Sequence, residues 1–359
     1  MRVLFITRRF PPSIGGMQTF AHDYYQALSA KTDVRLVKWG GSNWALPVIL
    51  PYLLLRGALV MMRGGVDVIH AQDSITGFLA SILARLWGKP YVVVIHGLDI
   101  TYQNPLFNFC VPPAVRRADA VICISSAAAA EAEKRGVSPD KLNVIPLAVQ
   151  DSIHGQANRG ERLDRLGLQQ DARILLTVGR LVRRKGAAWF IENVLPDLLK
   201  TYPKLVYVLV GDGEERGHIE ELVKKLNLED HVCLLGFADD ELYAAAYNGA
   251  DVFVMPNIKV AGDMEGFGLV LLEAALCERP VVAASLEGIL EAVSDGKNGI
   301  LVPSGDTQAF NEAIRAFLDD PSYAKKFGRQ ARDYTLQHFQ WPALADRYLE
   351  VYESLRSKP

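Results

Sequence analysis

The chain is poor in several things that would each announce a class of protein. It has four cysteines, Cys110, Cys123, Cys233 and Cys277, far apart and without metal-ligand spacing. Three of them sit in apolar runs, which reads as buried thiols in a reducing compartment. Charge of one sign is missing too. Lys and Arg number 39 against 41 Asp and Glu, a net charge of −2, so the global bias of a nucleic-acid binder is absent. No apolar run reaches the roughly 20 uninterrupted residues of a spanning helix. The longest candidate, Trp44 to Met62, is broken by Pro47, Pro51 and the Arg56-Gly57 pair. Two readings of it stand: a core-facing helix with a proline-bent start, or a surface helix with Trp44 and Tyr52 at a membrane interface and Arg56 and Arg63 toward headgroups. No signal peptide precedes the first strand, Val3-Leu4-Phe5-Ile6, so a cytoplasmic protein is expected, with peripheral contact at the inner membrane face through 44–62 on the second reading.

What is present is an apolar half of a 359-residue chain, enough for two domains. Short β-branched runs alternate with helical patterns twice over. Strands are expected at Val3–Ile6, Val34–Val37, Val66–His70, Tyr91–Ile95, Ala120–Ile124 and Leu142–Ile145. A polar stretch from Asp151 to Arg162 then opens a linker placed at 151–170. A second set follows at Ile174–Val178, Leu205–Val210, His231–Leu235, Val252–Met255, Val281–Ala284 and Gly299–Val302. Continuous apolar strands between helices indicate parallel sheets covered on both faces. The fold class is therefore α/β, with two doubly wound, Rossmann-like domains at 1–150 and 171–339. A closing amphipathic helix at 340–357 is expected to pack back on the first. Ligands of such sheets sit at the carboxyl ends of the strands, which makes a cleft between the domains the expected site.

The stretch around which the rest is organised is Asp263-Met264-Glu265-Gly266-Phe267-Gly268-Leu269-Val270-Leu271-Leu272-Glu273-Ala274-Ala275. A glycine-flexed loop with one carboxylate runs into an apolar helix carrying another. Eight positions is a little over two turns, so Glu265 and Glu273 are expected to share a helix face. The first-turn N–H groups favour an anion, and a carboxylate among apolar neighbours needs partners. Other strand ends add to this. Gly15-Gly16 opens a helix where backbone N–H groups can approach a phosphate, or simply makes a turn. His96 ends a buried strand, where it is either structural or placed to act. Arg180 and Lys185 flank a strand–helix junction, a fork and a point charge suited to a diphosphate, while Arg183 and Arg184 read as a basic surface loop. The spacing is not that of a Walker loop. Val210-Gly211-Asp212-Gly213 misses the dinucleotide glycine spacing by one and reads as a turn. Gly236-Phe237-Ala238 is either a base cradle or a plain turn.

Together these residues resemble the family 4 glycosyltransferases of the GT-B fold over essentially the whole chain. Glu265 and Glu273 match the family's E-x7-E signature within Glu-Gly-Phe-Gly. Gly-Gly at 15–16, His-Gly-x-Asp at 96–99, Gly-Arg-Leu…Lys-Gly at 179–186 and Val-Gly-Asp-Gly at 210–213 follow in the family's order. The resemblance implies retaining transfer from a nucleotide diphosphate sugar, with UDP favoured and GDP-mannose next, to a glycan or lipid-linked acceptor. No metal or other cofactor and no nucleic-acid partner are implied. By the same analogy Glu273 holds the ribose and Glu265 a sugar hydroxyl. Gly266, Phe267, Gly268 and Leu269 line the donor, and Gly15-Gly16 close over the phosphates. Arg180 and Lys185 hold the diphosphate, and His96 contacts the sugar. The chain departs from the family where Cys-Gly is usual, with Cys277-Glu278, and where Gly-Gly-Ile-Pro-Glu is usual, with Glu287-Gly288-Ile289-Leu290-Glu291. A sugar-nucleotide epimerase, a phosphorylase and a non-catalytic nucleotide-sugar sensor are the alternative classes. A phosphorylase lacks a candidate lysine for its pyridoxal cofactor here.

Overall fold

The computed structural model describes residues 1–13, 15–41, 46–102, 104–151, 153 and 159–356. The chain divides into two compact units, Met1–Ala148 with Phe339–Pro359, and Val149–His338.

Unit 1 holds strands β1 Arg2–Thr7, β2 Asp33–Lys38, β3 Val68–Ala71, β4 Tyr91–Ile95, β5 Ala120–Cys123 and β6 Leu142–Val144. Its helices are α1 Gly16–Ser29, α2 Leu46–Met62, α3 Ser74–Trp87, α4 Pro105–Arg117 and α5 Ser126–Lys134. The sheet is fully parallel in the order β2-β1-β3-β4-β5-β6. The apolar runs of the inner strands are buried on both faces: every residue of β3, β4 and β5 is buried, whereas the edge strands β2 and β6 are partly exposed. Unit 2 holds α6 Arg159–Arg165, β7 Arg173–Val178, α7 Ala187–Asn193, α8 Leu195–Thr201, β8 Leu205–Val210, α9 Arg216–Lys225, β9 Val232–Gly236, α10 Asp240–Gly249, β10 Val252–Met255, α11 Leu269–Leu276, β11 Val281–Ser285, α12 Ile289–Ala292, β12 Ile300–Pro303, α13 Thr307–Asp319 and α14 Pro321–His338. Its sheet is also parallel, in the order β12-β11-β10-β7-β8-β9. In each sheet the chain winds outward both ways from one point, between β1 and β3 in unit 1 and between β7 and β10 in unit 2. Loops leaving those two strands part to opposite faces and leave a crevice, the place where ligands of such folds bind.

Three local expectations change. The 151–170 linker is already helical from Arg159, where α6 starts. Helix α2 runs unbroken through Arg56-Gly57, because Gly57 turns inward: a Cβ there would stand 2.7 Å from Leu83 Cδ1. Ile49, Leu53, Gly57 and Met61 form its buried stripe, whereas Val48, Tyr52, Leu55, Leu59 and Met62 stay exposed. Trp44 lies outside the described residues. Of the cysteines, Cys123 and Cys277 are buried, and Cys110 and Cys233 are only partly so.

The last helix, α15 Trp341–Arg356, belongs to unit 1 and lays Trp341, Leu344, Tyr348 and Tyr352 inward. Tyr352 donates to His70 Nδ1 at 2.7 Å, and Tyr24, stacked on the His70 ring at 4.8 Å, bonds to the Tyr352 hydroxyl. His70 Nε2 in turn donates to Gln72 Oε1 at 3.1 Å. The imidazole is thus satisfied as a neutral ring. Burial drives its pKa from the ordinary 6.5 to about 3, against the pull of its Gln72 bond. Between those values the unfolded chain binds a proton that the folded chain refuses. This contribution to stability is full above pH 6.5 and lost as the pH falls, at about 1.4 kcal/mol per pH unit. Urea midpoints measured between pH 7 and pH 4.5 are expected to fall less steeply in His70→Phe than in the wild type. Parallel slopes would show that the buried imidazole is not the source.

Candidate active site

The crevice of unit 2 is lined by the loop leaving β7 and the loop leaving β10. Gly186 lets them meet. Its φ is +70°, and a Cβ there would stand 1.9 Å from the Pro256 carbonyl oxygen, so only glycine fits. The approach is sealed by Ile258 N–H donating to Arg184 O at 2.9 Å. Across the seam lies a buried charge cluster. Glu265 Oε2 accepts from Lys185 Nζ at 2.6 Å, Arg184 Nη1 at 2.7 Å and Asn257 Nδ2 at 3.0 Å. Arg184 Nε also donates to Asp263 Oδ1 at 3.0 Å. Burial alone would push the Glu265 carboxyl up, but Lys185 and Arg184 outweigh it and hold it below its ordinary value. Arg184 is therefore not part of a basic surface loop. It is 6% exposed and ion-paired, whereas Arg183 and Arg180 are exposed. Among the described residues no ion pair engages the Arg180 guanidinium.

Glu265 and Glu273 do not share a helix face. Gly268, at φ +94°, is the N-cap of α11, which starts only at Leu269, so Glu265 lies in the loop four residues upstream. Phe267 is buried at 1% exposure and offers only its backbone. Glu273, on α11, is clamped separately. Tyr243 and Tyr247, one turn apart on α10, each donate to its Oε2 at 2.8 Å. Burial raises the Glu273 pKa from its ordinary value, and the two tyrosine bonds oppose that. Both carboxylates end in the same state: one oxygen tied by protein donors, the other, Oε1, without a hydrogen bond among the described residues.

The loop holding Glu265 is braced from behind by the segment that departs from the family. Glu287 Oε2 accepts the Glu265 N–H at 2.6 Å, and Gly288 N–H donates to Glu265 O at 3.1 Å. A side chain at Gly288 would collide with Gly266 O, 2.1 Å away. Burial raises the Glu287 carboxyl from its ordinary value. Both departures keep the backbone that glycine would supply: φ is +49° at Glu287 and +57° at Glu278.

In unit 1, Gly15 is the N-cap of α1 and Gly16 its first residue, where a Cβ would meet nothing within 4 Å. His96 Nε2 donates to Gln72 O at 2.9 Å, which leaves Nδ1 as the acceptor, and Phe20 of α1 meets its ring edge-on at 5.6 Å. Asp99 fixes the His-Gly-x-Asp loop. Its carboxylate accepts from His96 N–H at 2.8 Å and from Ser74 N–H at 3.0 Å. Arg8 Nε meets Asp73 Oδ2 at 2.7 Å, a buried pair across the crevice of this sheet. Gly15, Gly16 and His96 belong to unit 1, and Arg180, Lys185, Glu265, Gly266, Phe267, Gly268, Leu269 and Glu273 to unit 2, where Lys185 and Glu265 are directly paired. Sequence reasoning missed Arg184, Asn257, Tyr243, Tyr247 and Glu287. The four-residue spacing of the tyrosines was the one legible signal. Among the described residues no group of three or more His, Cys, Asp or Glu is placed to hold a metal ion.

Two open parallel sheets flanked by helices, with an E-x7-E loop over the crevice of the second, define a GT-B glycosyltransferase. Family models agree: "Glycosyl transferase 4-like domain" matches residues 30–148 and "Glycosyl transferases group 1" matches 158–334. The chain is 30% identical over 329 residues to D-inositol 3-phosphate glycosyltransferase 1 of Catenulispora acidiphila, covering 85% of this chain and 77% of that one. It is 28% identical over 327 residues to alpha-D-kanosaminyltransferase of Streptomyces kanamyceticus, covering 87% and 83%. The crystal structure of Anabaena Alr3699/HepE in complex with UDP superposes with a TM-score of 0.78 at 22% identity, over 99% of this chain and all of that one. The chain belongs to the family 4 glycosyltransferases, and it transfers a sugar from a nucleotide sugar.

The two departures separate strain from function. A non-glycine residue in the left-handed region costs about 1–2 kcal/mol, partly offset by glycine's larger unfolded entropy. Glu278→Gly is expected to stabilise the protein by about 0.5–1 kcal/mol, a rise in Tm of about 2 °C. Glu287→Gly gains the same relief but loses the acceptor of the Glu265 N–H, so its Tm is expected to stay below that of Glu278→Gly. Scanning calorimetry that ranks them the other way would remove the bracing role given to Glu287.

Proposed function

We propose that the chain is a retaining hexosyltransferase that uses a UDP-sugar, without a resident metal, and delivers the sugar to a glycan or lipid-linked acceptor at a membrane face. The observation that carries this reading is the paired state of the two carboxylates. Glu265 and Glu273 each have one oxygen fixed by protein donors and one open to accept hydroxyl groups. Glu273 is assigned the ribose and Glu265 a hydroxyl of the donor sugar. Gly266 to Leu269 offer backbone N–H groups to the sugar and phosphates. Arg180, exposed at the end of β7, and Lys185 take the diphosphate and stabilise it as charge develops on departure. Gly15 and Gly16 are assigned to the phosphates and His96 to the sugar. In the reaction the bond from the anomeric carbon to the diphosphate oxygen breaks. The acceptor oxygen bonds to the same face of that carbon, and its proton passes to the departing phosphate oxygen. No carboxylate nucleophile is required.

Unit 1 is assigned the acceptor and unit 2 the donor. The membrane part of the reading is supported by the exposed apolar stripe of α2, Val48, Tyr52, Leu55, Leu59 and Met62, next to Arg56 and Arg63. Among the described residues no helix is long and apolar enough to cross a membrane. The uridine preference rests on likeness to the UDP-bound Anabaena structure, and a relative from Mycolicibacterium smegmatis named as a GDP-mannose-dependent mannosyltransferase keeps guanine in the test.

A thermal-shift panel of UDP-, GDP- and ADP-sugars with EDTA tests the donor. A ligand at a hundred times its Kd adds about 2.7 kcal/mol. A UDP-sugar is expected to give the largest shift, and turnover followed by NMR is expected to yield the donor's anomeric configuration. An inverted product, or activity only after metal is restored, would overturn the proposal. Flotation on anionic liposomes tests the membrane reading. Replacing Val48, Leu55 and Met62 by glutamine is expected to release the protein, while equal flotation would end that reading. Leu53, buried at 0% exposure, is left alone because its loss would damage the core.

A further inference from the structure

A second depression lies in unit 1, at the carboxyl ends of β1 and β2. It encloses about 400 Å³ between Pro11 and Pro12 after β1, Lys38 and Trp39 at the end of β2, and Tyr52 and Arg56 on α2. Its walls are held by the backbone. Trp39 N–H donates to Thr7 O at 3.0 Å, which carries the β1–β2 pairing one residue past the strand. Ser13 N–H donates to Gly40 O at 3.2 Å. The loops touch so closely that a Cβ on Gly40 would stand 2.7 Å from Pro11 O. Trp39 and Tyr52 face each other edge-on, ring centroids 5.9 Å apart. Lys38 Nζ sits 4.2 Å over the Phe10 ring, outside any ion pair, and Arg56 likewise has no carboxylate partner among the described residues. No Asp or Glu lines the depression.

Two aromatic rings offer flat apolar faces for the C–H side of a sugar or cyclitol. Two unpaired cations, one a guanidinium fork, call for a phosphate. The volume is in the range of small-ligand sites. We propose that this depression is the acceptor subsite and that it takes a phosphorylated saccharide or cyclitol, its phosphate toward Arg56 and Lys38 and its ring against Trp39 and Tyr52. This rests on unit 1 being the acceptor side and narrows the acceptor from any glycan to an anionic one. The phosphate has two possible sources, a free sugar phosphate or the headgroup of a lipid. The exposed stripe at Val48, Tyr52, Leu55, Leu59 and Met62 starts beside the depression and runs along one face of α2, where an acyl chain would lie.

Titration calorimetry on the full-length protein tests this with glucose 1-phosphate, glucose 6-phosphate and myo-inositol 1-phosphate, against glucose, myo-inositol and inorganic phosphate. At least one phosphorylated ring is expected to bind about tenfold or more tighter than both its neutral parent and inorganic phosphate. The doubly substituted Lys38→Gln, Arg56→Gln protein is expected to lose that difference and to bind UDP like the wild type. Trp39→Ala is expected to weaken the ring-bearing ligands and leave inorganic phosphate unchanged. Dihexanoyl phosphatidylinositol below its micellar concentration separates the sources: tighter binding than inositol phosphate marks a lipid-linked acceptor, equal binding a soluble one. If no phosphorylated ring exceeds its neutral parent, or if the double variant binds it undiminished, the proposal is overturned. Failure of UDP to bind the wild type would instead overturn the donor reading, which is measured separately.

Discussion

The interaction on which unit 2 depends is the sharing of one carboxylate oxygen. Glu265 Oε2 accepts hydrogen bonds from Lys185, Arg184 and Asn257, and those donors come from the loops after β7 and β10. A buried carboxylate with one partner would be a net cost, because desolvation of both ions exceeds their attraction unless further hydrogen bonds complete the site. Here the completion is threefold, and Asp263 balances the remaining charge of Arg184. The result ties two loops that the topology sends to opposite faces of the sheet. Unit 1 solves the same problem with the same chemistry. Its crevice lies between β1 and β3, and Arg8 on the first strand's exit loop pairs with Asp73 on the other's, both buried. Doubly wound sheets open a gap where the winding reverses, and in this chain each gap is bridged by an arginine–carboxylate pair.

The strands were readable because a parallel strand buried on both faces has to be apolar throughout, and short β-branched runs between helices have few other uses. All twelve expected strands are present, with ends shifted by two residues at most. What the sequence concealed was direction. In Val182-Arg183-Arg184-Lys185 nothing local distinguishes an arginine that points out from one that points in. The short 3-10 turn at Arg183–Lys185 decides it, turning Arg184 and Lys185 inward and leaving Arg183 in solvent. The Glu265–Glu273 spacing was read as helical because eight residues fit two turns, but Gly268 in the left-handed region postpones the helix. Helix α2 shows the reverse. Arg56-Gly57 interrupts the apolar run, yet the absent side chain of Gly57 is what lets the helix press against Leu83.

Glu278 and Glu287 show that a turn can outlast the residue that suits it best. At both positions the backbone stays left-handed, although a glutamate pays for the crowding of its Cβ. Gly328 of α14 packs directly on the carbonyl of Glu278, 2.1 Å from where its own Cβ would be, so the helix leaves that turn no room to relax. At Glu287 the strain has a return, since the new carboxylate takes the N–H of Glu265, a donor that would otherwise need another partner. The two substitutions look alike in sequence and differ in consequence because only one of them faces the site loop.

The two acids of the E-x7-E stretch are held by different means for a reason that follows from their surroundings. Glu265 lies among cations and is held below its ordinary pKa, so it stays charged through the working range without help from a ligand. Among the described residues no cation pairs with Glu273. Burial raises it, and only two neutral hydroxyls stabilise its charge, so it is the more responsive of the two to whatever its free oxygen accepts. An acceptor oxygen that is already oriented costs no reorganisation when a hydroxyl arrives, and one still short of donors gains most from it. A carboxylate with one oxygen fixed by two cations and an amide presents its other oxygen in a set direction. One supported by tyrosines is suited to reward binding. The difference between the two acids is thus already present in the hydrogen bonds of the protein alone.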